Sequence, residues 1–316
     1  MINRELIRTK VVQLVYAYVQ NEDKSLDVAE NELEFSLMKS YELYKLLLSL
    51  LVQVKYTAQR REEARLARAE RLGVVSDELP LDKYLAENKL LQKMSENKML
   101  LDYLENEKQE WMEDDALIRN IYKSFTESSI YHEYIHKGDY SIKADRELLR
   151  RLYKEFLFDN ELLESTLEDH SIYWNDDKEI IDQFVIKTLG VFNGESQPDM
   201  PLLSEFSAEE DREFAFQLFR QTIERGEEMN NHLRTNCLKW DFDRIALMDK
   251  VIIQTALTEI LTFSDIPLNV SINEYVEIAK NYSTNRSGAF VNGQLDGICK
   301  RLNKERILMK ISMKKK

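Results

Sequence analysis

His132 and His136 stand four residues apart, so a helix would place both imidazoles on one face, where they could hold a metal ion. No HExxH pattern and no third ligand is apparent, so no metal site is expected. The acid pairs Asp114-Asp115 and Asp176-Asp177 could do general acid–base work, but both sit where helices should begin. There they are expected to cap backbone N–H groups and complement the helix dipole. No phosphate-binding P-loop and no GxGxxG after a strand occurs. Catalytic residues and cofactors are therefore not expected, which leaves binding.

Binding chemistry is carried by bases at both ends of an acidic chain. The net charge is −13 over 316 residues. Lys300–Lys316 nevertheless holds eight bases against one acid, and Arg4, Arg8 and Lys10 stand near the start. Such ends can contact phosphate, whereas the acidic middle suits a basic protein partner. Arg60, Arg61, Arg65, Arg68 and Arg71 alternate with Glu62, Glu63 and Glu70. That segment reads as a solvated helix laced with i,i+4 ion pairs, with a basic patch as the alternative.

The elements that must position these residues are helices. Eight Gly and four Pro are few for this length, and Leu, Glu, Lys and Met predominate. The pattern predicts an all-α protein with no membrane span. Cys237 and Cys299 are expected to be buried thiols in a reducing cytoplasm. Helices are expected near 3–20, 28–72, 82–108, 113–136, 207–236, 244–263, 271–282 and 285–304, with a capping box at Ser271–Glu274. The segment 192–204, holding Pro198, Pro201 and Gly194, is the best boundary. Asp145-Arg146-Glu147 recurs 66 residues later as Asp211-Arg212-Glu213. At that offset Leu152 matches Leu218, Trp174 matches Trp240, and Val185-Ile186 matches Val251-Ile252, which suggests a repeated helical hairpin.

One stretch, GAFVNGQLDGIC from Gly288, mixes signals. Asn292-Gly293 reads as a turn, yet Val291, Leu295 and Ile298 keep the period of a helix face. Gly293 and Gly297 would share one side of that helix. The expectation is a packing notch, with Gly293 facing helix 1 or the 271–282 helix and Asn292 bonded to a backbone group at the crossing.

Residues 240–302 resemble the NusB family of transcription antitermination factors. The resemblance rests on Asp265-Ile266-Pro267, Ile272-Asn273-Glu274, Glu277-Ile278-Ala279-Lys280, Ser287, Phe290-Val291-Asn292-Gly293 and Leu295-Asp296. The stretch 8–20, with Gln13 and Tyr16, looks like the family's first helix. The resemblance implies an all-α, NusB-like helical bundle with inserted helices. Residues 1–54 and 201–316 would form the bundle, and 55–200 a partly repeat-like insertion. It further implies a cytoplasmic, non-catalytic factor that pairs with NusE, a small-subunit ribosomal protein. The pair binds boxA-type single-stranded RNA of ribosomal leaders and joins the antitermination complex on RNA polymerase. By position the RNA-binding residues would be Arg4, Arg8, Lys10, Lys280 and Tyr282, with Phe290, Asn292, Gly293 and Asp296 as the structural motif. The family's SHKF is SGAF here (Ser287 to Phe290), and Glu5 and Leu6 replace common bases. The alternative is a NusB-fold adaptor or scaffold in ribosome biogenesis that does not touch RNA. An enzyme built on this fold, as in some RNA cytosine methyltransferases, would need a cofactor-binding segment that does not follow residue 305.

Overall fold

The computed structural model describes residues 1–21, 25–73, 80–106, 115–237, 242–305 and 307. Within them the regular structure is helical, apart from one isolated bridge between Ile2 and Phe206. The helices are α1 (Arg4–Gln20), α2 (Leu26–Leu72), α3 (Leu81–Ala86), α4 (Lys89–Ser95), α5 (Lys98–Asn106), α6 (Asp115–Glu127), α7 (Ser129–Lys137), α8 (Ile142–Phe156), α9 (Glu161–His170) and α10 (Lys178–Val191). They continue as α11 (Glu209–Glu224), α12 (Gly226–Asn236), α13 (Leu247–Thr262), α14 (Leu268–Tyr282) and α15 (Ser287–Lys304). Packing divides the chain into two units, Met1 with 39–205 and residues 2–38 with 206–316. The sequence pattern divides it instead at 54/55 and 200/201.

Side-chain caps cut the expected long helices into short ones. The stretch expected as a helix over 82–108 is three helices, because Asn88 Oδ1 accepts the Leu91 N–H (2.9 Å) and Asn97 Oδ1 accepts the Leu100 N–H (3.3 Å). Ser128 cuts the next one in the same way, accepting the Tyr131 N–H at 3.1 Å. The capping box at Ser271 is not formed. Pro267 stands at the N-cap with φ −61° and ψ 138°, so α14 starts earlier and Ser271 lies buried within it. Asp177 does not cap α10 either; it is buried and accepts from the Ser40 hydroxyl at 2.5 Å. Asp114 lies outside the described residues.

The unit of 2–38 and 206–316 is built around α13, which packs against α1, α11, α12, α14 and α15. Every residue from Val251 to Ile260 is buried, the signature of a helix enclosed on all sides. Its hydroxyls are satisfied within the helix: Thr255 and Thr258 donate to the carbonyls of Val251 and Gln254, both at 2.9 Å. Buried positions Val291, Leu295, Ile298 and Leu302 dock α15 by the expected period.

In the 39–205 unit the enclosed helix is the second part of α2, buried almost continuously from Leu43 to Ala58. Tyr44 donates to or accepts from Thr188 Oγ1 (2.6 Å) on α10, and Trp174 Nε1 donates to the Lys39 carbonyl (2.9 Å). The triplet α8–α9–α10 follows the order of α11–α12–α13 at the expected offset. Adding 66 to α9 gives 227–236, against Gly226–Asn236 for α12. Trp240 lies outside the described residues.

Beyond Ala58, α2 has no fully buried residue up to its end at Leu72. The i,i+4 ion pairs expected there are absent among the described residues. Glu62 and Arg65 pair at i,i+3 (2.7 Å), while Arg61–Arg65 and Arg68–Arg71 put like charges at the spacings where neighbours meet. Like-charge pairs of this kind cost an isolated helix about 0.2–0.5 kcal/mol each.

Candidate nucleic-acid interface

The candidate RNA residues do not form one cluster. Arg8 and Lys10 are buried, and neither can reach phosphate in this fold. Arg8 Nε and Nη2 donate to Glu259 Oε2 and Oε1 at 2.8 and 3.1 Å, and Nη1 stands 3.4 Å from Glu274. The Tyr275 hydroxyl donates to the same Glu259 carboxylate at 3.0 Å. Burial pulls the Arg8 guanidinium down, but the hydrogen bond and charge of Glu259 outweigh it and hold Arg8 above its ordinary value. Burial pushes Glu274 up, and burial with the Glu259 charge pushes Tyr275 far up. The expectation that Arg8 and Lys10 bind RNA is therefore corrected. Arg8 closes α1 onto α13 and α14, because a carboxylate as deep as Glu259 needs a cation beside it.

Arg4 is partly exposed but already engaged. Its Nε lies 3.1 Å from Asp211, its Nη1 lies 3.5 Å from Asp265, and its guanidinium carbon sits 4.9 Å from the Phe214 ring centre. Phosphate contact would compete with both carboxylates.

Lys280 and Tyr282 lie near the far end of α14, on the order of 20 Å along the helix from its first turn. Lys280 is exposed, and its ammonium pairs with Glu277 at 2.6 Å. An exposed pair of this sort contributes little and can exchange for phosphate. Tyr282 is half-buried. The chain then turns through Ser283–Arg286 into α15. Ser287 fixes that turn: its hydroxyl donates to buried Asp249 on α13 (3.0 Å) and accepts the Thr284 N–H (3.1 Å). Arg286, exposed at the N-cap of α15, joins this end of the bundle. Its place in the loop between two motifs gave no periodic signal.

The glycine expectation is also corrected. Gly293 faces open space, with nothing within 4 Å of an added Cβ, and Asn292 and Asp296 are exposed beside it. Asp296 pairs with Lys300 at 2.5 Å, and Phe290 is half-buried. Within α15 close approaches occur at two other glycines. A Cβ on Gly288 would stand 2.8 Å from Lys280 Cγ, and one on Gly297 would stand 2.9 Å from the Asn236 amide. Gly288 thus lets the aliphatic stem of Lys280 lie across the first turn of α15.

Elsewhere, His136 Nδ1 lies 2.6 Å from the His132 carbonyl, and no metal-ligating cluster is found among the described residues. Cys237 and Cys299 are buried thiols outside any disulfide among the described residues. Among the described residues no helix is long and apolar enough to cross a membrane.

Comparison with known proteins addresses the same region. The NusB family model matches residues 193–300. The transcription antitermination protein NusB of Salinibacter ruber is 39% identical over 109 residues, spanning 34% of this chain and 68% of its own length. The protein of the same name from Thermodesulfovibrio yellowstonii is 45% identical over 89 residues, spanning 28% of this chain and 59% of its own. A solved structure titled T. maritima NusB is 28% identical, covers 44% of this chain and 85% of that one, and has a TM-score of 0.28, too low to bear on the fold. The matched spans run from 47% to 68% of the first relatives' lengths. The identity and the extent of the match to the Salinibacter ruber protein place this chain in the NusB family.

Proposed function

We propose that the protein is a cytoplasmic, non-catalytic transcription antitermination factor that binds boxA-type RNA of ribosomal leaders as a heterodimer with NusE, within the antitermination complex on RNA polymerase. The match of residues 193–300 to the NusB family carries this reading. The α14–α15 end of the bundle supports it: Lys280 and Arg286 offer charge, and Tyr282 offers a ring for an unstacked base. A second reading, an adaptor or scaffold in ribosome biogenesis, draws on the burial of Arg8 and Lys10 and the net charge of −13.

Titrating boxA-type RNA with the full chain, with and without NusE, separates the two readings. Tight binding at low salt that weakens steeply as salt rises is the expected result, because phosphate contacts release counterions. No binding in either condition at low salt would overturn the first reading and leave the adaptor.

A further inference from the structure

The 39–205 unit carries an array of bases that the α14–α15 end does not use. In a helix turning about 100° per residue, the five arginines of 60–71 fall within an arc of about 140°, and Glu62, Glu63 and Glu70 fall within a separate arc of about 100°. The half-buried residues of the segment, Gln59, Glu62, Arg65 and Ala69, mark the packed side. Arg60, Ala64, Arg68 and Arg71 occupy the opposite side, and all are exposed.

The arginines divide in two. Arg61 and Arg65 are held, Arg61 by Asp82 (3.2 Å) and over the Tyr122 ring (5.1 Å), Arg65 by both oxygens of Glu62 (2.7 Å each). Arg60 reaches only the Thr57 hydroxyl, at 3.3 Å. Arg68 and Arg71 have no ion pair or hydrogen bond among the described residues. The three form a row about 16 Å long, with small Ala64 and Ala67 between them. A helix stabilising itself by ion pairs would set opposite charges at these spacings. Beside Arg68 this helix sets like charges, Arg65 and Arg71, three positions away on each side, an arrangement that an external polyanion relieves.

We infer that the exposed arc of Arg60, Arg68 and Arg71 is a second RNA contact, binding the phosphate backbone of leader RNA outside the boxA segment. This rests on the RNA-binding reading above. Guanidinium groups in a row suit successive phosphates and read no sequence, so the contact adds affinity and salt dependence without changing base preference.

The test uses the full chain and two RNAs, a short boxA oligonucleotide and the same segment with unstructured flanks on both sides. The triple variant Arg60→Ala, Arg68→Ala, Arg71→Ala is compared with wild type and with a control of equal charge change at exposed positions, Lys123→Ala, Lys154→Ala, Lys187→Ala. Circular dichroism checks that all three are folded. The arc variant is expected to lose on the order of tenfold in affinity for the flanked RNA at low salt, and about two units of the log–log salt slope, since single strands contribute about 0.7 per phosphate. Its affinity for the short RNA and the behaviour of the control should stay near wild type. An unchanged slope for flanked RNA overturns the inference while the boxA reading stands. Binding of flanked RNA that needs the arc, without binding of the short RNA, supports the inference and sinks the boxA reading. Wild type that binds neither RNA overturns both. Arc-dependent binding of polyglutamate without an effect on RNA assigns the arc to an acidic protein, and also overturns the inference.

Discussion

In the 39–205 unit the Tyr153 hydroxyl and the Lys178 ammonium meet on Asp182, at 2.7 and 2.8 Å. In the other unit the Tyr275 hydroxyl and the Arg8 guanidinium meet on Glu259. Each cluster sets a tyrosine hydroxyl and a cation on one carboxylate, but the two do different jobs. Lys178 and Asp182 share α10, and the ammonium also takes the Leu157 and Phe158 carbonyls beyond the end of α8, so the cluster seals a local helix end. Arg8 and Glu259 stand 251 positions apart, so that pair fastens the first helix to the core helix. The third helices of the two triplets differ too. On α10, Gln183 and Lys187 are exposed; their counterparts at the 66-residue offset, Asp249 and Ile253 on α13, are buried. Helices α14 and α15 cover that side of α13 and follow it in sequence, whereas the linker follows α10. The third helix of the triplet is thus open on one side in one unit and enclosed in the other.

The largest effect is expected at the long-range ion pair. Glu259→Ala leaves buried Arg8 only its longer contact to Glu274, 3.4 Å from Nη1, and should cost about 3–5 kcal/mol in urea unfolding, whereas Arg8→Met with Glu259→Leu should come near wild type. Asp182→Ala should cost clearly less, because Lys178 keeps two carbonyl partners. Equal losses would break the contrast between a fastening pair and a local seal.

Next comes the offset pair. Ile253→Ala should cost roughly 2–5 kcal/mol and Lys187→Ala no more than about 0.5. Similar costs, read by hydrogen exchange in each unit, would contradict the surface-to-core difference.

A smaller effect concerns pH. Burial holds the Asp145 carboxyl above its ordinary value, against the lowering by the Tyr134 hydroxyl and the Lys89 and Leu90 N–H groups. The folded state therefore keeps this proton to higher pH than the unfolded chain. Its contribution to stability is greatest below the unfolded value, near pH 4, and declines as pH rises through the raised folded value. Asp145→Asn should flatten that part of the stability–pH curve, measured by denaturant unfolding between about pH 4 and 6. The smallest effect is at Gly293. Gly293→Ala should raise stability by about 0.5–1 kcal/mol, because the position is helical, exposed and open. A loss in thermal unfolding would restore the packing notch.

Much of the fold is legible in the sequence. The apolar period of α15 follows from residue types, and the motif of 265–296 carries the family, whereas the burial of polar Gln254, Thr255, Thr258 and Glu259 on α13 does not. The candidate site was less legible, for a physical reason that particular residues show. Arg8 suggests a phosphate contact because it is basic, near the start and matched by position to the family's first helix. It lies three and seven residues before Val11 and Val15, on the apolar stripe of α1, so its side had been set by the period. Glu259 is the one charged residue between Val251 and Ser264, and such a carboxylate demands a buried cation. The two signals are 251 positions apart, and neither names its partner. Gly293 misled in the opposite way, because a glycine shows that space is available without showing which neighbour fills it.

The proposed RNA contact at the α14–α15 end, rather than along α1, is open to a direct test. The direct measurement is the affinity and salt slope of the full chain for boxA-type RNA, with NusE present, in Lys280→Ala with Arg286→Ala. The account expects a loss of about tenfold at low salt and a slope smaller by about 1.4, two phosphate contacts on a single strand. Wild-type affinity and slope in that double variant would contradict it.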